Sequence, residues 1–131
     1  MSHWVAGLGC RRECRIEPLR SLLDTALERA AIERRNLTAL ATIDAKQDEP
    51  ALRQLAQELG LELRAWPAPA LRAFEHRLTS RSERAFAQFG CHGIAEAAAL
   101  ATAEANGRES ELAVPRMTNG QATIALARYP I

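Results

Sequence analysis

Short apolar runs alternate with helical spacing through the first half of the chain, and this alternation leaves few folds open. After Trp4-Val5-Ala6, apolar residues recur at Leu19, Leu22, Leu23, Ala26, Leu27 and Ala30, with Arg20, Asp24, Glu28 and Arg29 on the opposite face of the helix they predict. Pro18 suits the first turn, where its missing N–H costs nothing. Residues 37–43 read as a buried strand and residues 44–50 as a polar turn. Leu52, Leu55, Ala56 and Leu59 then mark a second helix stopped by Gly60, and residues 61–66 read as a third strand. Strand, helix, strand, helix, strand is the order that builds a parallel sheet by crossover connections.

The second half changes character. Pro67 and Pro69 introduce a short helical piece around residues 71–75. Ser80 followed by Glu83 predicts a capping box for a helix carrying Ala85, Phe86 and Phe89 and ending at Gly90. Residues 94–105 form a further helix that is almost all Ala and Leu and stops near Gly107. Its small residues permit close packing, either on the sheet or in self-association through Ala97, Ala98 and Ala101. Leu112 and Val114 alternate with small or polar neighbours, Thr118-Asn119-Gly120 supplies a turn, and Ala122, Ile124 and Leu126 alternate with Thr123, Ala125 and Ala127. The expected fold is α/β: one three-layer domain over residues 1–131, whose mixed sheet of about five strands has a parallel N-terminal part and a C-terminal β-hairpin.

Composition excludes several functions. A formal net charge of +1 and an apolar fraction of 47% fit neither a nucleic-acid-binding polycation nor an acidic disordered tail. No stretch has membrane-spanning length and the N-terminus lacks the pattern of a secretory leader, so neither nucleic acid nor membrane is an expected partner. Three cysteines, Cys10, Cys14 and Cys91, are an odd and sparse set that suits the reducing cytoplasm. Their spacing, with His92, matches no zinc pattern, so no metal and no cofactor are expected.

Candidate site residues fall in three segments. Gly7-Leu8-Gly9-Cys10-Arg11-Arg12 reads as an anion-binding loop after the first strand, in which glycines let backbone N–H groups turn toward a bound group and two guanidiniums add charge-assisted donors. A structural turn is the alternative. A dinucleotide site would use Asp44 as its ribose acid, but Arg12 stands where that fingerprint needs its third glycine. Asp44, Lys46, Asp48 and Glu49 put four charged groups in six residues after the second strand, at the sheet edge where open α/β sheets bind ligands; capping of the next helix is the structural alternative for Asp48 and Glu49. Lys46 is the one lysine among 17 basic residues, and lysine is the side chain able to act as a neutral amine or Schiff base. At the hairpin turn, Arg116, Asn119 and Gly120 would add donors if the turn folds over the strand edge. Cys10 beside two arginines is either a thiol of lowered pKa or a small apolar residue in a tight loop. No Ser-His-Asp set or acid pair can be argued from spacing, so catalytic residues stay unassigned.

These blocks, taken in order, resemble the family of CobE and the CbiG C-terminal domain, which acts in cobalamin (vitamin B12) biosynthesis. The matching residues are Val5 to Arg12, Leu40 to Pro50, Ser82-Glu83-Arg84, Ile94 to Leu100, Val114-Pro115-Arg116 and Gly120 to Arg128. Two positions depart from the family pattern: Glu13-Cys14 stands where glycine is usual after the arginine pair, and Arg116 stands where lysine is usual. The resemblance implies a role in corrin-ring synthesis. It does not imply the lactone opening of CbiG, because 131 residues leave no room for the additional N-terminal domain that CbiG carries. The implied ligand is a corrinoid or precorrin intermediate, a large and partly apolar ring rimmed by carboxylates, which Arg11, Arg12, Lys46 and Arg116 would bind. Other cobalamin-pathway enzymes are possible partners, and the oligomeric state is open. Two other classes remain: an enzyme acting on the ring, with Asp44 or Glu49 moving a proton and Lys46 or Cys10 as nucleophile, and a nucleotide-binding module.

Overall fold

The computed structural model describes residues 2–105 and 107–130. Strand β1 (Ser2–Cys10) is followed by helix α1 (Ile16–Ala30), β2 (Leu37–Ile43), α2 (Pro50–Leu59) and β3 (Leu63–Trp66). Two short helices, α3 (Ala68–Arg72) and α4 (Glu83–Phe89), precede the Ala-rich α5 (Ile94–Ala103), and the hairpin of β4 (Glu111–Thr118) and β5 (Ala122–Pro130) closes the chain. The five strands form one sheet in the order β3-β2-β1-β5-β4. The β1–β2 and β2–β3 pairs are parallel, and the β1–β5 and β4–β5 pairs are antiparallel. The expected architecture of a parallel half and a C-terminal hairpin is therefore present.

Strand periodicity divides the core into two layers. Along β1, Trp4, Ala6 and Leu8 join Leu19, Leu23, Leu52 and Leu55 of α1 and α2 on one face of the sheet. Val5 joins the alanines of α5 on the other. β5 alternates in the same way, with Ala122, Ile124 and Leu126 on the α1 side and Ala127 on the α5 side. Ala97, Ala98 and Ala101 are buried, so the small residues of α5 serve packing on the sheet.

Gly7 shows why. A Cβ built there would stand 1.9 Å from the Ala95 carbonyl oxygen, so the missing side chain is what lets α5 lie against β1. This corrects the reading of Gly7 and Gly9 as loop glycines: both lie inside β1, and a Cβ on Gly9 would meet Thr123 Oγ1 at 2.6 Å. The loop itself begins at Arg11. The α4 cap is also displaced from its expected place, since Ser82, and not Ser80, accepts the Ala85 N–H at 3.0 Å. Among the described residues, no helix is long and apolar enough to cross a membrane.

Candidate functional site

Parallel strands β1, β2 and β3 end at the same edge of the sheet, and the antiparallel β4–β5 turn returns to it, because Cys10 pairs with Ala122 and Thr118 with Thr123. The three candidate segments accordingly meet there. Arg11 N–H donates to the Gln121 carbonyl at 3.0 Å, which joins the first loop to the hairpin turn. The Asn119 side-chain amide donates to the Pro18 carbonyl at 3.0 Å, and its oxygen accepts the N–H groups of Gln121 and Ala122 at 3.1 and 3.0 Å. Asn119 thus pins the turn onto the start of α1, and its oxygen is filled by the turn itself. Gly120 takes φ +87°, a left-handed conformation that a glycine enters without steric cost.

Glu49 joins the second segment to the first. It occupies the N-cap position of α2, yet its side chain makes no cap; its carboxylate accepts the N–H of Glu13 at 3.0 Å, across 36 residues. Asp48 pairs with Arg53 at 3.0 Å, whereas Asp44 lies exposed at the start of a short 3-10 turn that ends at Lys46. The Lys46 ammonium stands 5.3 Å from the centre of the Phe89 ring, so this turn also reaches α4.

Ion pairing divides the arginines into two groups. Arg15, Arg20, Arg34, Arg35, Arg53, Arg64, Arg77, Arg81 and Arg128 each face a carboxylate within 4.0 Å. Arg11, Arg12 and Arg116 are exposed, Lys46 is half-buried, and none of the four makes an ion pair among the described residues; Arg29, Arg72, Arg84 and Arg108, in other parts of the fold, are likewise exposed and without a carboxylate partner. Uncompensated cations gathered around an edge suit an anionic ligand.

The cysteines point away from nucleophilic chemistry. Burial first, then the hydrogen bond with Cys14 and the charges of Cys14 and Glu49, push the Cys10 thiol up to about 12, against a smaller opposite pull from Lys46. This corrects the lowered-pKa alternative and leaves Cys10 a poor nucleophile at neutral pH. Cys10 and Cys14 pack on the α1 side of the sheet and Cys91 on the α5 side, so the three do not converge. Among the described residues, no group of three or more His, Cys, Asp or Glu side chains is placed to hold one metal ion.

Glu96 is a residue that sequence reasoning left unassigned. It is 1% exposed in the first turn of α5, and its carboxylate accepts the N–H of Arg116 at 2.9 Å, the N–H of Thr79 at 2.8 Å and the Thr79 hydroxyl. A charged residue within an Ala-rich helix was the available signal, since a buried carboxylate requires donors. It fixes the backbone of β4 at Arg116. The opposite edge of the sheet holds two open clefts of about 400 and 390 Å³, the first beside Glu111 and Arg128 and the second beside Arg64 and Thr102. No predicted site residue lines either.

The family model described as cobalamin synthesis G C-terminus matches residues 4–127. The chain belongs to this family. Within the CbiG C-terminal family it is similar to "Protein CobE" of a Sinorhizobium species, with 40% identity over 123 residues that span 94% of this chain and 78% of that protein. The crystal structure of CobE, a protein from the cobalamin (vitamin B12) biosynthetic pathway, superposes with a TM-score of 0.92 at 44% identity, covering 97% of this chain and 90% of that one. A cobalt-precorrin-5A hydrolase of Salmonella typhimurium is 37% identical over 81 residues, 56% of this chain but 23% of the hydrolase. The chain is thus a cobalamin biosynthesis protein of the CobE and CbiG C-terminal type.

Proposed function

We propose that this protein binds a corrinoid precursor at the C-terminal edge of its parallel strands, holding or passing an unstable intermediate. The observation that carries the reading is the set of unpaired cations, Arg11, Arg12, Lys46 and Arg116, in three segments joined through Gln121 and Glu49, with Arg116 held on α5 by Glu96. A corrinoid precursor presents acetate and propionate carboxylates around its ring, so cations spread along an open edge match it better than one enclosed pocket would. Charge-assisted hydrogen bonds to such carboxylates contribute about 1.5–3 kcal/mol each. Family membership in cobalamin synthesis supports the choice of ring over other polycarboxylates.

Titration with hydrogenobyrinic acid, followed by its visible absorption, tests the reading. Saturable binding is expected, with no change in ligand mass. An unsaturable or absent response overturns it, and a mass change would convert the protein into an enzyme acting on the ring.

A further inference from the structure

We propose that Phe86, backed by His92 and Glu75, is the ring-face subsite of this edge: a fixed aromatic surface on which the flat, conjugated part of the macrocycle stacks. The inference rests on the corrinoid-binding reading and adds the contact that the cations cannot make. Phe86 is 45% exposed, the one large apolar side chain so exposed among the described residues. An exposed phenyl ordinarily moves among rotamers. Here one face is stacked on the His92 imidazole, with ring centres 4.4 Å apart and planes 16° from parallel.

The imidazole is itself held. Glu75 Oε1 lies 2.9 Å from His92 Nδ1 and accepts the His92 backbone N–H at 3.1 Å, while the His92 carbonyl accepts the N–H of Ser82, the residue that caps α4. Burial raises the Glu75 pKa, but its bonds from His92 outweigh that and keep the carboxyl below its usual range, so the brace is ionised at neutral pH. A half-buried acid, an imidazole and a helix cap thus converge to hold a ring that stays 45% exposed. Burial of Phe86 does not explain that expense; pre-organisation of a stacking surface does, because an ordered ring loses less freedom when a ligand lands on it.

Charge around the ring fits a flat ligand with an acidic rim. Lys46 stands over Phe89, one helical turn along α4, and Arg72 reaches the Gly90 carbonyl at 3.0 Å. At the other end, Arg81 lies 3.3 Å from His92 Nδ1 and 4.0 Å from Glu75 Oε2. Glu83 Oε1 lies 3.5 Å from His92 Nε2 and adds an acidic group beside the imidazole. Cations therefore flank the aromatic surface at both ends, with apolar area between.

Titration of Phe86→Ala, Phe86→Leu and Phe86→Tyr with hydrogenobyrinic acid, beside the parent chain and with thermal unfolding of each, tests the subsite. Loss of stacking predicts roughly 3- to 10-fold weaker binding for the Ala and Leu variants. The Tyr variant should bind within about twofold of the parent, because it keeps the π-face. The Phe86→Ala loss should persist at high salt, whereas an Arg11→Ala loss should shrink as salt screens the charge. Parent-like binding by Phe86→Ala, or a Tyr variant as weak as the Ala variant, overturns the subsite while leaving the corrinoid reading intact. Absence of binding by the parent chain overturns both.

Discussion

Glu13 has φ +59°, the left-handed region, where a Cβ crowds the next carbonyl at roughly 1–2 kcal/mol. A glycine would enter that region freely, so Glu13 carries a backbone cost, and the Glu49 carboxylate on its N–H offsets part of it. Glu13→Gly is expected to stabilise the unliganded protein by about 1 kcal/mol, read as a higher urea midpoint; an unchanged or lower midpoint would mean the strain is already relieved. Cys10 gives a pH test. A free thiol ionises near 9.0 and the folded Cys10 near about 12, so between those values the unfolded chain has released a proton that the folded chain keeps. Cys10 therefore contributes full stability below about pH 9 and loses it as pH rises toward 12. Urea unfolding across that window should show a fall that Cys10→Ala flattens; parallel profiles for the two proteins would refute the assignment.

Elements were legible where one period ran unbroken. The α1 stripe from Leu19 to Ala30 faces one core layer and β5 alternates between two, so pattern alone determined them. Ser80 misled because two serines precede Glu83, and only the geometry of the Ser82 hydroxyl decides between them. Gly7 and Gly9 misled for a different reason: glycine signals a turn or a close approach equally well, and the approaching element, α5, lies almost 90 residues further along. The approach yields a prediction at the same scale. Gly7→Ala places a methyl against the backbone of α5, which cannot yield as a flexible side chain would, and should destabilise the fold by about 3 kcal/mol, the upper range for overpacking. Chemical denaturation measures it, and a cost under about 1 kcal/mol would mean α5 sits further from β1 than described.

Contacts between distant segments decide the whole molecule, and these were only partly legible. The rule that parallel strands present ligand loops at their C-terminal ends placed the Arg11 and Asp44 segments together, since strand order alone implies it. The bonds that lock them to each other and to the hairpin, Glu13 to Glu49 and Arg11 to Gln121, have no local sequence pattern, and neither does the Arg116 bond to Glu96 or the brace behind Phe86. Ion pairing was equally hidden. Sixteen arginines look alike in the sequence, and only the fold separates those facing carboxylates from those left unpaired, of which Arg11, Arg12 and Arg116 lie in the candidate segments. That separation makes a demanding prediction. A ligand at about 100 times its Kd stabilises the folded state by about 2.7 kcal/mol, a rise of roughly 10 °C in Tm for a chain of this size. Replacing Arg11, Arg12 and Arg116 together by Ala removes about 1.5–3 kcal/mol of binding per residue, enough to erase that rise. The unliganded Tm should stay within about 2 °C of the parent, because exposed side chains that pair with nothing contribute little to folding. Differential scanning fluorimetry with and without hydrogenobyrinic acid measures both quantities. A triple variant that keeps the ligand-induced rise would place the ring elsewhere on the molecule, with the clefts beside Arg128 and Arg64 at the opposite sheet edge the next surfaces to mutate.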